Sequence, residues 1–468
     1  MTRTAVINVV GLSESLLGAH TPNINAFRQR GAMSRITPAF PAVTCTAQSN
    51  YLTGRTPAEH GIVANGWYNR ELAEVQFWKQ SNHLVAGKKL WQSLREADPS
   101  FTCAKLFWWY NMYSGADWSL TPRPMYPADG RKLFDIYAWP YSIKDDIKRE
   151  LGEFPFPGFW GPAAGVDSSR FSADAVSRWI AESAKWIERK FTPTLNLIYL
   201  PHLDYNLQRF GPNHPVIASD LRRIDAIVGD LIVFFEKQSV QVVLLSEYGI
   251  SAVDTPIHLN RLFRERGWLT VKEELGCELL DAGASRVFAV ADHQVAHVYV
   301  NDASLEGAVR ALLEEQPGVA KIWGVAEKKL HGLDHPRAGD LIAVAQDRAW
   351  FTYYYWLDDR RAPDFARTVD IHRKPGYDPV ELFLDPKLPL AKARIAWRLL
   401  QKRLGFRMLM DVIPLDASLV KGSHGNKPAK VSEWPLLITS HADLQPRLAL
   451  DSTEVFEVLR EHVLRSGS

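Results

Sequence analysis

The stretch Ala39-Phe-Pro-Ala-Val-Thr-Cys-Thr-Ala-Gln-Ser-Asn-Tyr-Leu-Thr-Gly54 combines an extended approach with a run that can begin a helix. Two prolines restrict the residues before Val43, and none of the eight residues after Val43 breaks a helix. This places Thr44 at or near a helix N-terminus, where free N–H groups and the helix dipole favour an anion. A hydroxyl there suits attack on a phosphoryl group, although a threonine at such a position is also a common N-cap. Asn65, on a loop further along, is a second donor for the same anion.

Length and composition are those of a soluble globular protein. The chain has 468 residues, of which 46% are hydrophobic and 23% charged, enough for a large core with an insertion. Its formal charge of +2 gives no reason to expect a nucleic-acid or membrane partner. The three cysteines match neither a disulfide framework nor a zinc motif. A strand-like run starts at Ala5, which leaves no room for a signal peptide, and no apolar stretch approaches the ~20 residues of a membrane span. We therefore expect a cytoplasmic protein.

Three apolar runs are typical of strands buried on both faces of a parallel sheet. They begin at Ala5, Thr194 and Gln241, and polar residues follow the second and the third of them. Ligands of open parallel sheets gather at the carboxyl ends of strands. Asp204 and Glu247 are therefore candidates for a site at that edge of the sheet.

The block around Thr44 extends further along the chain. It contains Phe40-Pro41, Thr44, Leu52-Thr53-Gly54, Pro57, His60-Gly61-Ile62-Val63 and Asn65. In residue type and spacing it resembles the nucleophile block of the alkaline phosphatase superfamily, in particular its nucleotide pyrophosphatase/phosphodiesterase branch. The resemblance implies an alkaline phosphatase-like α/β fold, a mostly parallel sheet with helices on both faces. It also implies that Thr44 is the nucleophile and that Asn65 binds a phosphate oxygen.

The first metal site of that family is partly matched here. Asp204 stands at the position of a metal-binding Asp, and Gln208 stands where the family has a His. Ser423-His424-Gly425 fits the context of the last His ligand, and His372 resembles a variant of the same motif. The resemblance therefore implies a divalent metal, zinc first.

The second metal site is more strongly altered. The family's Ser-Asp-His-Gly reads Ser-Glu247-Tyr248-Gly here, and Val10 stands where the first strand carries a metal-binding Asp. Glu247 is still a candidate ligand, and such oxygen-rich replacements favour manganese or magnesium over zinc. The changed positions are also compatible with a site that binds one metal or none.

Aromatic residues are the candidates for substrate contacts. A stretch that starts at Trp67 and contains Trp109 is rich in aromatic side chains and interrupted by Pro and Gly, so that much of it should be loop. Such loops either form the wall of a pocket or cover the edge of the sheet. We predict that Trp109, Tyr248 and Asn65 contact the substrate, with Arg123 as a candidate for its anion.

The remaining chain suggests an insertion. We predict a catalytic core over 1–250 and 348–468, with a small α+β cap at 251–347. Within the cap, His293 and His297 lie four apart in a probable β segment, which favours structural roles. The basic face of Leu400–Phe406 is interpreted as solvated.

Taken with the resemblance, these residues predict a metal-dependent hydrolase of a phosphodiester or pyrophosphate bond with a Thr nucleophile. Its substrate would be a small phosphate ester or nucleotide-like molecule, and the oligomeric state stays open. Two alternatives remain: a non-catalytic binding protein on the same fold, or a hydrolase of phosphonates or sulfate esters.

Overall fold

The computed structural model describes residues 1–160, 174–444 and 447–465. In chain order the strands are β1 (Thr4–Val9), β2 (Ala32–Thr37), β3 (Gly66–Asn69), β4 (Glu74–Phe77), β5 (Cys103–Leu106), β6 (Trp118–Pro122), β7 (Ile136–Trp139), β8 (Leu195–Leu200), β9 (Gln241–Leu245), β10 (Ser251–Ala252), β11 (Thr255–Ile257), β12 (Val271–Glu274), β13 (Cys277–Leu280), β14 (Val287–Asp292), β15 (Val295–Val300), β16 (Val319–Trp323), β17 (Leu341–Ala345), β18 (Ala349–Phe351), β19 (Gly422–Ser423), β20 (Leu436–Thr439) and β21 (Ala449–Asp451).

Along the chain, most helices of the described ranges connect successive strands of the large sheet. The helices are α1 (Pro22–Gln29), α2 (Thr44–Thr53), α3 (Pro57–His60), α4 (Leu90–Ala97), α5 (Ile143–Leu151), α6 (Phe156–Trp160), α7 (Ala175–Phe191), α8 (Leu203–Phe210), α9 (Ile217–Lys237), α10 (Leu259–Glu265), α11 (Glu306–Glu314), α12 (Val325–Leu330), α13 (Ala391–Arg403) and α14 (Val455–Leu464). None of them, within those ranges, combines the length and apolar character that crossing a bilayer requires.

A nine-stranded sheet forms the centre of the molecule. Its order is β21-β2-β20-β9-β1-β8-β5-β6-β7, and only β20 and β7 run against the direction of the others. The three predicted runs are its central strands β1, β8 and β9, and every residue of all three is buried. Strands buried on both faces need apolar side chains in succession, which is why these runs do not alternate. The prediction of a mostly parallel sheet is confirmed.

Two groups of helices cover this sheet. Helices α1, α7, α8 and α9 form one series of contacts, and α2, α4 and α14 form another. The apolar faces of both groups join the large core around β1, β8 and β9.

A second sheet and a second core accompany the first. Strands β14, β15, β17 and β16 form a four-stranded antiparallel sheet. The core beneath it also takes side chains from outside 251–347, including Trp109 and the buried run Tyr353–Trp356. The three-part domain division therefore stays a prediction, although all four strands of this sheet fall inside the predicted cap.

Candidate active site at the start of helix α2

Thr44 is the first residue of α2. Val43 is the N-cap, with an extended backbone (φ −130°, ψ 157°) and no side-chain cap, so the Thr44 hydroxyl does not serve as the cap. The helix ends at Gly54, whose positive φ of 66° allows its N–H to bond back to Asn50 O. Every residue of α2 is buried, although most are polar. Buried polar groups need partners, so the contacts of this helix point to a site.

A hydrogen-bonded chain connects Thr44 to Asp204. Thr44 Oγ1 lies 3.2 Å from Tyr248 Oη, and Tyr248 Oη donates to Asp204 Oδ1 over 3.2 Å. Because a phenol has one hydrogen, which Asp204 accepts, Thr44 is the donor in its own contact with Tyr248. Burial raises the pKa of Asp204 from 3.8 to about 7 and the pKa of Tyr248 well above its ordinary value. Near neutral pH Asp204 can therefore gain or lose a proton, while Tyr248 stays neutral.

Gln208 supports this chain from the next turn of α8. Its Nε2 donates to Asp204 Oδ2 over 2.7 Å, and its amide also contacts the hydroxyl of Tyr377. Residues four apart share a helix face, which is why the Gln208 side chain reaches Asp204.

Asn65 lies at the N-terminus of α2. Its Oδ1 accepts from the Cys45 N–H over 3.0 Å, one of the free donors of the first turn. Its backbone N–H and its side-chain Nδ2 donate to the two oxygens of Asp292 over 2.8 and 3.1 Å. Burial raises the pKa of Asp292 to about 6, and the donors of Asn65 oppose that rise. Asp292 therefore fixes the orientation of the Asn65 amide.

A row of four rings in close contact forms one wall of the site. Tyr248 lies against His424, with ring centroids 3.6 Å apart, His424 lies 3.7 Å from His293, and His293 lies 3.8 Å from Tyr377. His424 Nδ1 lies 2.7 Å from Ala42 O and therefore carries the hydrogen, since a carbonyl only accepts. Burial lowers the pKa of both histidines well below 6.5, so both rings are neutral near pH 7.

His293 is a site residue that the sequence analysis assigned to a structural role. Its Nδ1 lies 2.7 Å from Asp292 Oδ1, and its buried Nε2 has no hydrogen-bond partner in the described part of the chain. The Asp-His pair in the sequence was the signal for it. His297 is buried away from the site and accepts from the Gly339 N–H, as a structural histidine does.

Glu247 lies behind the site rather than in its wall. Asn8 Nδ2 donates to its Oε1 over 2.6 Å, and Gln48 Nε2 donates to the same oxygen. Burial raises the pKa of Glu247 to about 8, so the carboxyl is mostly protonated at neutral pH. Glu247 is therefore a neutral hydrogen-bonding group that links β1 to α2.

The predicted site residues separate into two groups. A small cavity of about 60 Å³ is lined by most of them, namely Thr44, Asn65, Trp109, Asp204, Gln208, Tyr248 and His424. His372 lines a neighbouring cavity instead, where its Nδ1 lies 3.3 Å from Phe77 O. Arg123 is exposed and its guanidinium contacts Met112 Sδ.

The donor set does not fit a pair of metals. Among residues 1–160, 174–444 and 447–465, no three His, Cys, Asp or Glu side chains are grouped so that they could hold a metal ion. Val10 has no donor atom, and Gln208 and Tyr248 both direct hydrogens at the Asp204 carboxylate. Zinc sites in proteins use three or four Cys, His, Asp or Glu ligands, and in the described ranges Asp204 is not part of such a group.

A larger apolar cavity adjoins the site. It has a volume of about 420 Å³, and it shares Trp78, Trp109 and Ile371 with the small cavity. Its other walls are mostly aromatic and aliphatic, including Phe134, Phe156, Ile395, Leu399, Met408 and Met410. Such a space suits an apolar group attached to whatever binds at Thr44.

A sequence model of the type I phosphodiesterase / nucleotide pyrophosphatase family matches residues 4–378. The chain belongs to this family. One curated relative, an uncharacterised pyrophosphatase/phosphodiesterase of Schizosaccharomyces pombe, is 24% identical over 266 residues, 55% of this chain. The match spans about half of that relative, 46% of its length.

Solved structures extend the similarity to the whole fold of this family member. Phosphonoacetate hydrolase from Sinorhizobium meliloti, in complex with phosphonoformate, has a TM-score of 0.62 at 15% identity and covers 99% of this chain and 96% of its own. Murine ectonucleotide pyrophosphatase/phosphodiesterase 5 has a TM-score of 0.58 at 14% identity, covering 99% and 95%. An inactive variant of the murine protein, in complex with AMP, has a TM-score of 0.58 at 13% identity, covering 100% and 96%. The predicted alkaline phosphatase-like fold is confirmed.

Proposed function

We propose that the chain hydrolyses a phosphoester, with Thr44 Oγ1 as the nucleophile and with Tyr248 and Asp204 in place of metals in its activation. The observation that carries this proposal is the chain of two 3.2 Å hydrogen bonds from Thr44 through Tyr248 to Asp204. A threonine hydroxyl is a weak nucleophile at its own pKa and needs a base. Asp204, with its pKa near 7, is suited to that task at neutral pH.

The steps follow from the direction of the hydrogens. Thr44 passes its proton to Tyr248, which passes its own to Asp204, while the Thr44 Oγ1–P bond forms and the bond to the leaving oxygen breaks. The proton gained by Asp204 leaves with the departing oxygen. A water then attacks phosphorus: its oxygen forms a new P–O bond, the Thr44 Oγ1–P bond breaks, and one proton of the water returns through Asp204 and Tyr248 to Thr44 Oγ1. The start of α2 supports the developing negative charge through its free N–H groups and dipole.

The predicted phosphate contact of Asn65 is part of the proposal. Asn65 is held at the start of α2 by Asp292 on one side and by the Cys45 N–H on the other. A side chain fixed in this way needs no reorganisation when an anion arrives. The predicted divalent metal is left out, because Asp204 accepts from Gln208 and Tyr248 and belongs to no group of three metal-binding side chains in the described ranges.

The substrate class is a small phosphate ester or phosphonate with an organic group. Phosphonoformate and AMP are the ligands of two proteins with this fold. In this chain the organic group would pass Trp78 and Trp109 into the larger cavity, whose walls are apolar. The cytoplasmic location remains a prediction.

The test is turnover of a substrate panel by the full chain. The panel contains p-nitrophenyl phosphate, bis-p-nitrophenyl phosphate, p-nitrophenyl phenylphosphonate and a nucleotide p-nitrophenyl ester. We expect turnover that Thr44→Ala abolishes and that Thr44→Ser partly retains, since serine keeps the hydroxyl. A phosphorylated peptide containing Thr44, trapped by acid quench and found by mass spectrometry, would identify the intermediate. Full turnover by Thr44→Ala would remove Thr44 from the mechanism.

A non-catalytic binding protein is the second candidate. This candidate is favoured by the site's polar side chains, which in the described ranges do not form a group that could hold a metal ion. Calorimetry separates the two: binding of AMP or phosphonoformate by a wild-type chain that turns over no member of the panel would favour the binding protein.

A further inference from the structure

Helix α13 carries an apolar stripe on its solvent side. Trp397, Leu400 and Leu404 follow one another at spacings of three and four residues, so they share one helix face. Their exposed fractions are 57%, 44% and 63%, and Phe406, just after the helix, is 65% exposed. We call the surface formed by Trp397, Leu400, Leu404 and Phe406 the α13 face. Single exposed apolar side chains are common on protein surfaces, whereas several large ones exposed side by side mark an interaction surface.

The opposite side of the helix fixes this orientation. Ile395 is buried against the second core, and Arg398 pairs with Asp411 over 3.1 Å. Arg394 also pairs with Asp411. Because buried and ion-paired side chains hold one side of α13, the α13 face points away from the protein.

The segment that carries the α13 face has only positive charges of its own. Residues 391–410 contain six Lys and Arg and no Asp or Glu. Lys392 and Arg403 are eleven residues apart, three turns of helix, so they lie on one flank of the stripe, and both are exposed. Arg407 is exposed beside Phe406. An apolar stripe with a cationic flank complements a surface that is negatively charged outside and apolar beneath.

We propose that the α13 face docks on the surface of an anionic lipid bilayer. A tryptophan, leucines and a phenylalanine on one face, beside lysine and arginine, are the composition of helices that lie in the headgroup region of a bilayer. Each cation near an anionic leaflet adds to the attraction. A helix of this length lies along the surface and does not cross it.

Helix α13 lies beside the larger cavity. Ile395 and Leu399 of α13 line the larger cavity, which shares Trp109 with the cavity at Thr44. A bilayer at the α13 face would therefore lie next to the space assigned to the organic group. Docking itself is independent of the proposed hydrolysis, because it uses none of the residues around Thr44.

The experiment is flotation of the full chain with lipid vesicles. One set of vesicles is phosphatidylcholine alone, and the other contains about one third phosphatidylglycerol, enough to give the surface a negative potential. We expect the wild type to float with the anionic set, and less so when salt rises from about 0.05 to about 0.5 M, because the Debye length shortens.

Two double variants separate the α13 face from general effects. Trp397→Glu with Leu400→Glu should lower the vesicle partition coefficient by at least about tenfold, a loss of about 1.4 kcal/mol. Val325→Glu with Leu330→Glu makes the same charge change on α12, where the two side chains are 58% and 80% exposed, and should leave binding as in the wild type. Lys392→Gln with Arg403→Gln should weaken binding to the anionic set only.

Three results would overturn the proposal. They are no flotation of the wild type with anionic vesicles, an equal loss in the α12 control, or a wild-type dimer that Trp397→Glu with Leu400→Glu converts to a monomer without any vesicle binding. The last would assign the face to a second copy of the chain. Vesicle binding by Thr44→Ala should equal that of the wild type, so failure of the proposed hydrolysis and failure of docking are distinguishable.

Discussion

The rings of Tyr248 and His424 lie 8° from parallel with their centroids 3.6 Å apart. Both positions correspond to metal-binding histidines in the family that the sequence resembles. Here one ring is a phenol, and its hydroxyl contacts Thr44 and Asp204 rather than leaving space for an ion. The stack fixes the phenol in that position, because a ring held flat on its neighbour cannot turn without losing the contact. In the proposed mechanism, a single change from His to Tyr thus converts a ligand position into a link between Thr44 and Asp204.

Tyr248→Phe tests this link directly. Phenylalanine keeps the ring and its stack on His424 but removes the oxygen that joins Thr44 to Asp204. We expect kcat to fall by about 10²–10⁴-fold, the usual contribution of a general base. The matched control is Tyr354→Phe, whose buried hydroxyl has no hydrogen-bond partner in the described part of the chain. Unchanged kcat in Tyr248→Phe would contradict the relay.

The pH profile of kcat/KM tests the role of Asp204. Its carboxylate must be ionised to accept the proton, so the rate should rise with pH and level off above the pKa of about 7. Asp204→Asn, which cannot accept a proton, should abolish this limb together with most of the activity. A profile that is flat between about pH 5 and pH 8 would exclude Asp204 as the base.

The same pKa predicts that the free energy of unfolding falls as the pH rises, whereas the rate rises. Burial raises the pKa of Asp204 above its unfolded value of 3.8, so the folded state holds the proton more tightly. This contribution is complete below 3.8 and is lost as the pH rises through about 7. Asp204→Asn should therefore gain free energy of unfolding relative to the wild type between about pH 5 and pH 8, as measured by urea unfolding at each pH. A constant difference would contradict the assigned pKa.

The sequence predicted the framework of the site better than its walls. The sequence predicts the central strands β1, β8 and β9, because burial on both faces requires uninterrupted apolar runs. The start of α2 was readable because the residues after Val43 contain no helix breaker. In both cases the signal is local to one stretch of chain.

The position of His293 in the site and the exposed apolar face of α13 are not predicted by such local signals. Strand alternation predicts a structural role for His293, but His293 lies in the turn between β14 and β15 with φ of 62°, where alternation does not hold. The basic residues around Leu400 indicate a solvated face, but the sequence does not show that the apolar side chains between them are exposed as well. The structure places His372 in the neighbouring cavity and Arg123 on the surface, and the sequence does not show this, because which cavity a loop residue reaches depends on tertiary packing.

Glu247→Gln distinguishes a neutral hydrogen-bonding group from a metal ligand. Both Asn8 and Gln48 donate to Oε1, and a glutamine oxygen can accept the same two hydrogens. We expect the free energy of unfolding to change by less than about 1 kcal/mol at neutral pH, whereas Glu247→Ala, which leaves two buried donors unpaired, should cost about 2–4 kcal/mol. Equal losses in both variants, measured by urea unfolding, would contradict the assigned contacts.

Metal content is the measurement that decides between the relay and the family's metal chemistry. Because the described ranges contain no group of three His, Cys, Asp or Glu side chains that could hold a metal ion, we expect elemental analysis of the unchelated protein to find well below one equivalent of zinc, manganese or iron. Dialysis against a chelator should leave both Tm and turnover unchanged, with a zinc-dependent phosphatase treated in parallel as the control. One or two equivalents of metal that His424→Ala removes would instead restore the predicted metal site and make Asp204 a ligand rather than a base. Absence of metal combined with turnover that Tyr248→Phe abolishes would support a hydrolase of this family that activates its nucleophile through a phenol and a carboxylate.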